Sequence, residues 1–178
     1  LDAKPGPFLA KADKPVLMVI VAGETGRAQD WSLGGYARET NAELKKRDIV
    51  YYPNATSCGT ATATSLPCMF SPFGRRHYDE ARIRGSQSVL HLLQRVGVQV
   101  LWRDNQSGCK GACDRIPNAN TSAQKDPELC PTGSDCLDAI MLKDLDQRLA
   151  DLPADQRQRG TVVVLHQMGS HGPAYSKR

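Results

Sequence analysis

The sequence predicts an α/β fold: a mainly parallel sheet flanked by helices. Three observations carry the prediction. A continuous apolar run at 16–21, and the stretch 161–165, apolar after its opening Thr161, match strands buried on both faces of a parallel sheet. Helix-period patterns lie between the strand-like runs, the alternation that βαβ units produce. Glu24, Asp104 and His171 each stand just after a strand-like run, and Thr62 lies between a strand and a helix. In open parallel sheets, sites form beyond the carboxyl ends of the strands.

The elements follow in order. Residues 1–14 contain Pro and Lys without periodicity and read as a linker. The remainder, 15–178, reads as one domain, the default for a chain of 178 residues. A first strand, 16–21, ends in Gly23-Glu24-Thr25-Gly26. Residues 36–47 read as a polar-faced helix and Ile49-Val50-Tyr51-Tyr52 as a second strand. A turn carrying Cys58-Gly59 then leads into a helix that begins near Thr62. Val89, Leu92, Leu93 and Val96 fall at helical spacing, and Gly97 ends that helix. Residues 98–102 form a third strand. The stretch from about 103 to 134, rich in Asn and Ser and marked by cysteines, reads as a disulfide-bound insertion. Leu137, Ile140, Met141, Leu145, Leu149 and Leu152 make a helical stripe for the core, and 161–165 is a fourth strand.

The net charge of +4 is too small and too dispersed to argue nucleic-acid binding. Lys45-Lys46-Arg47, Arg75-Arg76 and Arg157-Gln158-Arg159 read as solvated faces. No apolar run approaches the roughly 18 residues that span a bilayer. No signal peptide opens the chain, and the first residue is Leu rather than Met, so an excised segment is expected. The six cysteines allow 15 connectivities, of which local pairing is the simplest: Cys58 with Cys68, Cys109 with Cys113, Cys130 with Cys136. No C-x-x-C occurs and no His stands at ligand spacing, which argues against a zinc knuckle. An even set of locally paired cysteines points to an oxidising compartment.

The residues offer a limited chemistry. A hydroxyl at a helix start sits among free backbone N–H groups that favour an anion. Thr62 is the candidate nucleophile, with Thr60 and Thr64 as rivals, and a plain N-cap is the alternative for this position. Glu24 can reach a metal at the sheet edge or serve as a turn acid. Lys110 can neutralise a phosphate oxygen and Gln106 can donate to one; solvent is the ordinary destination of a loop lysine. His171 is a phosphate donor or metal ligand by type. His166 reads as structural and His91 as solvated.

Four stretches in order resemble the lipid A phosphoethanolamine transferases of polymyxin (colistin) resistance. They are Val21-Ala22-Gly23-Glu24-Thr25-Gly26-Arg27; the segment from Thr56 to Phe70 around Cys58-Gly59-Thr60-Ala61-Thr62; Leu101-Trp102-Arg103-Asp104-Asn105; and Leu165-His166-Gln167-Met168-Gly169-Ser170-His171-Gly172-Pro173-Ala174-Tyr175. The resemblance runs from about Val16 to the last residue and covers the first half of the family's soluble catalytic domain. It implies an alkaline-phosphatase-like fold, present here as its first half, at the periplasmic face of the bacterial inner membrane. It implies zinc held by Glu24 and Thr62, with Thr62 as nucleophile, and substrate contacts from Lys110, His171 and Gln106. It further implies phosphatidylethanolamine as donor, lipid A as acceptor, and an N-terminal set of membrane helices absent from this chain. The family's remaining zinc ligands, an Asp-His pair in an Asp-His-Gly-Glu segment and a later His, do not occur in this sequence. The isolated chain is therefore expected to be inactive. The alternatives are another member of the superfamily (phosphoglycerol transferase, phosphatase or sulfatase), or a disulfide-bound binding module.

Overall fold

The structure is a computed structural model, and it describes residues 7, 14–121, 124–131, 135–153 and 158–172. The expected linker, 1–14, falls outside these apart from Pro7 and Lys14. Four strands form one sheet: β1 (Leu17–Ala22), β2 (Gln99–Asp104), β3 (Asn118–Asn120) and β4 (Thr161–His166). Their order is β1-β4-β2-β3, and every pairing is parallel. β4, an inner strand, is buried at all six positions, as the apolar run at 162–165 demands.

The sheet's two faces carry different cores. On one, Val100, Trp102, Val162 and Val164 pack with Leu66, Phe70 and Leu90. These last three come from α2 (Thr62–Met69), the residue after it, and α4 (Val89–Arg95). On the other, Val163 and Leu165 pack with Ile140, Met141 and the Cys130–Cys136 bridge. Arg103 is buried, and its Nη1 donates to the Lys143 carbonyl at 2.7 Å.

Several expectations need correction. Residues 49–52 form no strand: Val50 and Tyr52 are 80% and 74% exposed, and the segment pairs with none of the described strands. The helix expected at 36–47 shrinks to α1 (Ala42–Lys45). Ahead of it, Thr40 Oγ1 donates to the Asp30 carbonyl and accepts from the Ser32 N–H, side-chain bonds that compete with a helix. The stripe from Leu137 to Leu152 divides into a 3-10 turn, Asp138–Leu142, and α5 (Leu145–Ala150), because Asp144 takes φ 56° between them. Its core role holds, since Ile140 and Met141 are buried.

α4 buries Leu90, which the expected stripe omitted. His91 is a cap rather than a solvated side chain: Nδ1 bonds the Ser88 N–H at 3.1 Å, and Nε2 lies 2.6 Å from the Asp114 carbonyl. A further short helix, α3 (Glu80–Arg84), is capped by Asp79. The insertion at about 103–134 is held by the Cys109–Cys113 and Cys130–Cys136 bridges, yet it also supplies β3, and its second bridge closes beyond it at Cys136. No helix among the described residues is long and apolar enough to cross a membrane.

Candidate active site

β1 ends at Ala22, and two residues later Glu24 stands at the carboxyl edge of the sheet. Its carboxylate is half-buried and accepts three side-chain donors. Thr62 Oγ1 donates to Oε2 at 2.9 Å, Thr25 Oγ1 to Oε1 at 2.9 Å, and Gln106 Nε2 to Oε2 at 3.4 Å. Three stretches remote in sequence thus meet at one acid. Thr25 holds φ 57°, a left-handed conformation uncommon for threonine and often found at functional positions.

Thr62 is the first residue of α2, and Ala61 is the N-cap. The cap has no side-chain acceptor, so neither Thr60 nor Thr62 is the N-cap of this helix. Thr64 packs back over the turn, its Cγ2 3.0 Å from where a Cβ on Gly59 would lie. Of the three threonines, Thr62 alone bonds to Glu24 among the described residues. The Cys58–Cys68 bridge ties the incoming turn to the buried end of α2.

Lys110 and Gln106 reach Glu24 in series. Lys110 Nζ donates to the Ser107 carbonyl and Oγ, both at 2.7 Å. Ser107 Oγ donates to Gln106 Oε1, and Gln106 Nε2 points to Glu24. The ammonium therefore stands behind Gln106, with no direct bond to Glu24 or Thr62. His171 lies exposed on the same edge, with Nδ1 2.7 Å from the Gly172 carbonyl. No bond joins it to Glu24 or Thr62 among the described residues. Its turn nonetheless packs on Glu24: a Cβ on Gly169, at φ 52°, would lie 2.5 Å from the Glu24 carbonyl oxygen.

Two further acids hold this edge together: Asp104, whose strand-end place the sequence showed without assigning it a role, and Asp138, which the sequence did not single out. Asp104 is buried at the end of β2. Its Oδ2 accepts from Trp102 Nε1 at 2.9 Å and His166 Nδ1 at 2.8 Å. Its Oδ1 accepts from the Gln106 and Gly108 N–H groups, both at 2.9 Å. Burial by itself raises this carboxyl's pKa; the bonds from His166, Trp102 and Gly108 outweigh it and hold the pKa down to about 2. Asp104 thereby fixes the loop that presents Gln106, and His166 has the structural role expected of it. Asp138 accepts from Asn105 Nδ2 and from the N–H groups of Met168 and Gly169, all within 2.9 Å, which pins the turn carrying His171. The signals for Asp104 were its position just after a strand-like run and its place in the Trp102-Arg103-Asp104-Asn105 motif. Asp138 gave none.

Among the described residues, no group of three or more His, Cys, Asp or Glu side chains could hold a metal. Glu24 Oε2 and Thr62 Oγ1, 2.9 Å apart, fit as two neighbouring oxygen ligands of one cation, half of a tetrahedral zinc set.

A family model described as Sulfatase matches residues 17–178. Phosphoethanolamine transferase EptA of Salmonella typhimurium is 46% identical over 177 residues, which cover 99% of this chain and 31% of that relative. Phosphatidylethanolamine transferase Mcr-1 of Escherichia coli is 44% identical over 171 residues, 93% of this chain and 31% of the relative. The crystal structure of the soluble domain of lipooligosaccharide phosphoethanolamine transferase A from Neisseria meningitidis matches with a TM-score of 0.84 at 42% identity. That match covers 99% of this chain and 50% of the other. The fold is thus alkaline-phosphatase-like and a partial domain, and the chain spans 31% of the length of these curated relatives.

Proposed function

The chain belongs to the sulfatase family, and from that membership and the Glu24–Thr62 pair we propose that the complete protein is a phosphoethanolamine transferase with Thr62 as its nucleophile. Phosphatidylethanolamine is the donor and a phosphate of lipid A the acceptor. The observation that carries the reading is the 2.9 Å bond from the Thr62 hydroxyl to Glu24, at the start of α2 and the carboxyl edge of the sheet. The transferase names of relatives 46% and 44% identical to this chain support the substrate class.

Glu24 orients the Thr62 hydroxyl and lies on the path by which its proton leaves. The Thr62 oxygen then forms a bond to the donor's phosphorus while the phosphorus–oxygen bond to diacylglycerol breaks; the departing oxygen takes up a proton. In the second step a lipid A phosphate oxygen attacks the same phosphorus and frees Thr62, which regains its proton. Free N–H groups in the first turn of α2 face charge developing on the phosphoryl oxygens. Gln106 donates to the same region, with the Lys110 charge behind it through Ser107. His171 contributes a ring donor to the transferred group from its exposed turn. Glu24 and Thr62 would hold zinc, which when bound supplies the positive charge that favours an ionised Thr62 oxygen.

The complete protein acts at the periplasmic face of the bacterial inner membrane, where intact disulfides are expected. The ammonium it adds offsets the negative charge of lipid A and weakens binding of cationic polymyxins.

The test is intact-protein mass spectrometry of the complete protein after incubation with phosphatidylethanolamine. The expected result is one phosphoethanolamine increment that maps to Thr62 and is absent from Thr62→Ala. An increment surviving in Thr62→Ala, or mapping to Thr60 or Thr64, overturns the assignment. A phosphoethanolamine increment on Thr62 also excludes a sulfatase, the reading that the family description shares.

A further inference from the structure

Beside the Thr62 site lies a cavity of about 110 Å³, between α2, α3 and the loop that carries Lys110. α2 links the two places: it begins at Thr62 and puts Pro67 in the cavity wall. At about 1.5 Å of rise per residue these positions stand roughly 7–8 Å apart along the helix. Lys110 also belongs to both. It lines the cavity, and its Nζ is bonded to Ser107 on the Gln106 side.

The loop side of the cavity is held by the fold. Lys110 (φ 53°) and Gly111 (φ 96°) take left-handed conformations inside the ring closed by Cys109–Cys113. Ser88, buried at the start of α4, donates from Oγ to the Ala112 carbonyl at 2.8 Å. His91 Nε2 stands against the Asp114 carbonyl. These bonds tie the loop to α4, so the cavity is shaped before any ligand arrives.

Buried Pro67, Ile83 and Ala112 supply an apolar floor. Around it stand polar groups with bonding capacity left over. Arg84 Nε donates to Glu80 Oε1 at 2.8 Å, and its Nη pair has no partner among the described residues. Gln87 Oε1 accepts from Arg95, which leaves Nε2 to donate. Lys110 Nζ gives two bonds to Ser107 and has a third N–H. The Asp114 carboxylate lines the cavity and is bonded to no side chain among the described residues. An apolar floor with a few convergent polar groups is the ordinary form of a small-molecule site.

This lining matches a phosphorylated sugar. Two cations against one acid make it net positive, which draws a phosphate. A carboxylate that accepts, and an amide and a guanidinium that donate, suit sugar hydroxyls. An acyl chain needs none of these groups, and a bare anion is opposed by Asp114. We propose that this cavity is the acceptor subsite, which seats the phosphorylated sugar of lipid A and directs its phosphate past Lys110 to Thr62. The sugar ring rests on the apolar floor, and Arg84, Gln87 and Asp114 hold its hydroxyls. This rests on the two-step reading above. In the second step the acceptor's phosphate oxygen bonds to the phosphorus on Thr62. The phosphorus–oxygen bond to Thr62 breaks, and the Thr62 oxygen takes up a proton.

The test follows decay of the Thr62 adduct in the complete protein. The adduct is formed from phosphatidylethanolamine and read by intact-protein mass spectrometry as lipid A is added below saturation. Arg84→Ala and Asp114→Asn are expected to form adduct at about the unmutated rate and to slow its decay by about tenfold. Arg76→Ala, at an exposed arginine outside the cavity, should change neither step. Slower adduct formation with normal decay gives the cavity to the donor and overturns the proposal. So does unchanged decay in both cavity variants, or an equal loss in Arg76→Ala. Asp114→Asn removes a negative charge, so faster decay there marks simple attraction between charges and also overturns it. A second arm needs no adduct: binding of glucosamine phosphate to the Thr62→Ala protein, measured by calorimetry. Arg84→Ala and Asp114→Asn, each added to Thr62→Ala, should weaken this binding by about fivefold or more. Inorganic phosphate should bind Asp114→Asn no more weakly than its parent. Equal weakening of both probes assigns the cavity to phosphate alone and overturns the proposal. Sugar phosphate bound there while no adduct forms on Thr62 defeats the transferase reading and leaves the subsite standing.

Discussion

Two acids stand at the carboxyl edge of one sheet, and they are treated in opposite ways. Asp104 is 3% exposed, and each of its oxygens accepts two donors from within the chain. Glu24 is half-buried, and three of its donors are side chains from loops and a helix start. Asp104 has no capacity left for a ligand, whereas Glu24 has side-chain partners that can turn away. The difference teaches how one edge divides its labour: the inner acid holds the loops in place and the outer acid is free to meet a cation or substrate.

Replacing each acid should separate the two roles. The largest effect on activity is expected from Glu24→Gln in the complete protein: loss of transfer and of bound zinc, with a change of no more than about 1 kcal/mol in stability, since the hydrogen bonds it loses are partly solvated. Metal analysis beside a melting curve checks this. A large loss of stability with zinc retained would make Glu24 a second structural acid and erase the contrast.

Gly169→Ala probes the contact between the two regions. A methyl group there meets the Glu24 carbonyl oxygen at 2.5 Å, and the φ of 52° is itself unfavourable for alanine. A loss of about 2–3 kcal/mol is expected in denaturant unfolding, with transfer reduced because Glu24 moves.

Asp104→Asn sharpens the inner half. The folded carboxyl, held at about 2, lies below its unfolded value of about 3.9, so its contribution is complete above roughly pH 4–5 and is lost as pH falls towards 2. That contribution is roughly 2–3 kcal/mol. Unfolding between pH 6 and pH 2 should show Asp104→Asn less stable at pH 6 and with a shallower acid limb. A parallel pair of curves would place the acid sensitivity elsewhere.

The smallest effects belong to Thr60→Ala and Thr64→Ala. Neither side chain caps α2, and each substitution should change stability by less than about 1 kcal/mol and leave the phosphoethanolamine adduct on Thr62.

The sequence by itself determined the parallel α/β class, three of the four observed strands, and the sheet edge that carries Glu24 and Thr62; it marked local pairing as the simplest of the 15 ways to join six cysteines. Apolar run length and strand-end position are local quantities, readable before folding. The tertiary structure decided the rest. Residues 49–52 have strand composition, but a strand exists only where it lies along another's backbone, and this segment pairs with none of the described strands. Asn118–Asn120 has no strand-like composition, yet it pairs with β2 because the disulfide-bound loop lays it alongside. The stripe from Leu137 kept its burial and lost its continuity at Asp144. Asp138 stood in no motif, and its hold on the turn at Met168 and Gly169 joins residues about thirty positions apart. Such long-range bonds depend on how the layers stack, which no local pattern encodes. Composition names the surfaces that must be buried, and only the assembled layers show what each is buried against.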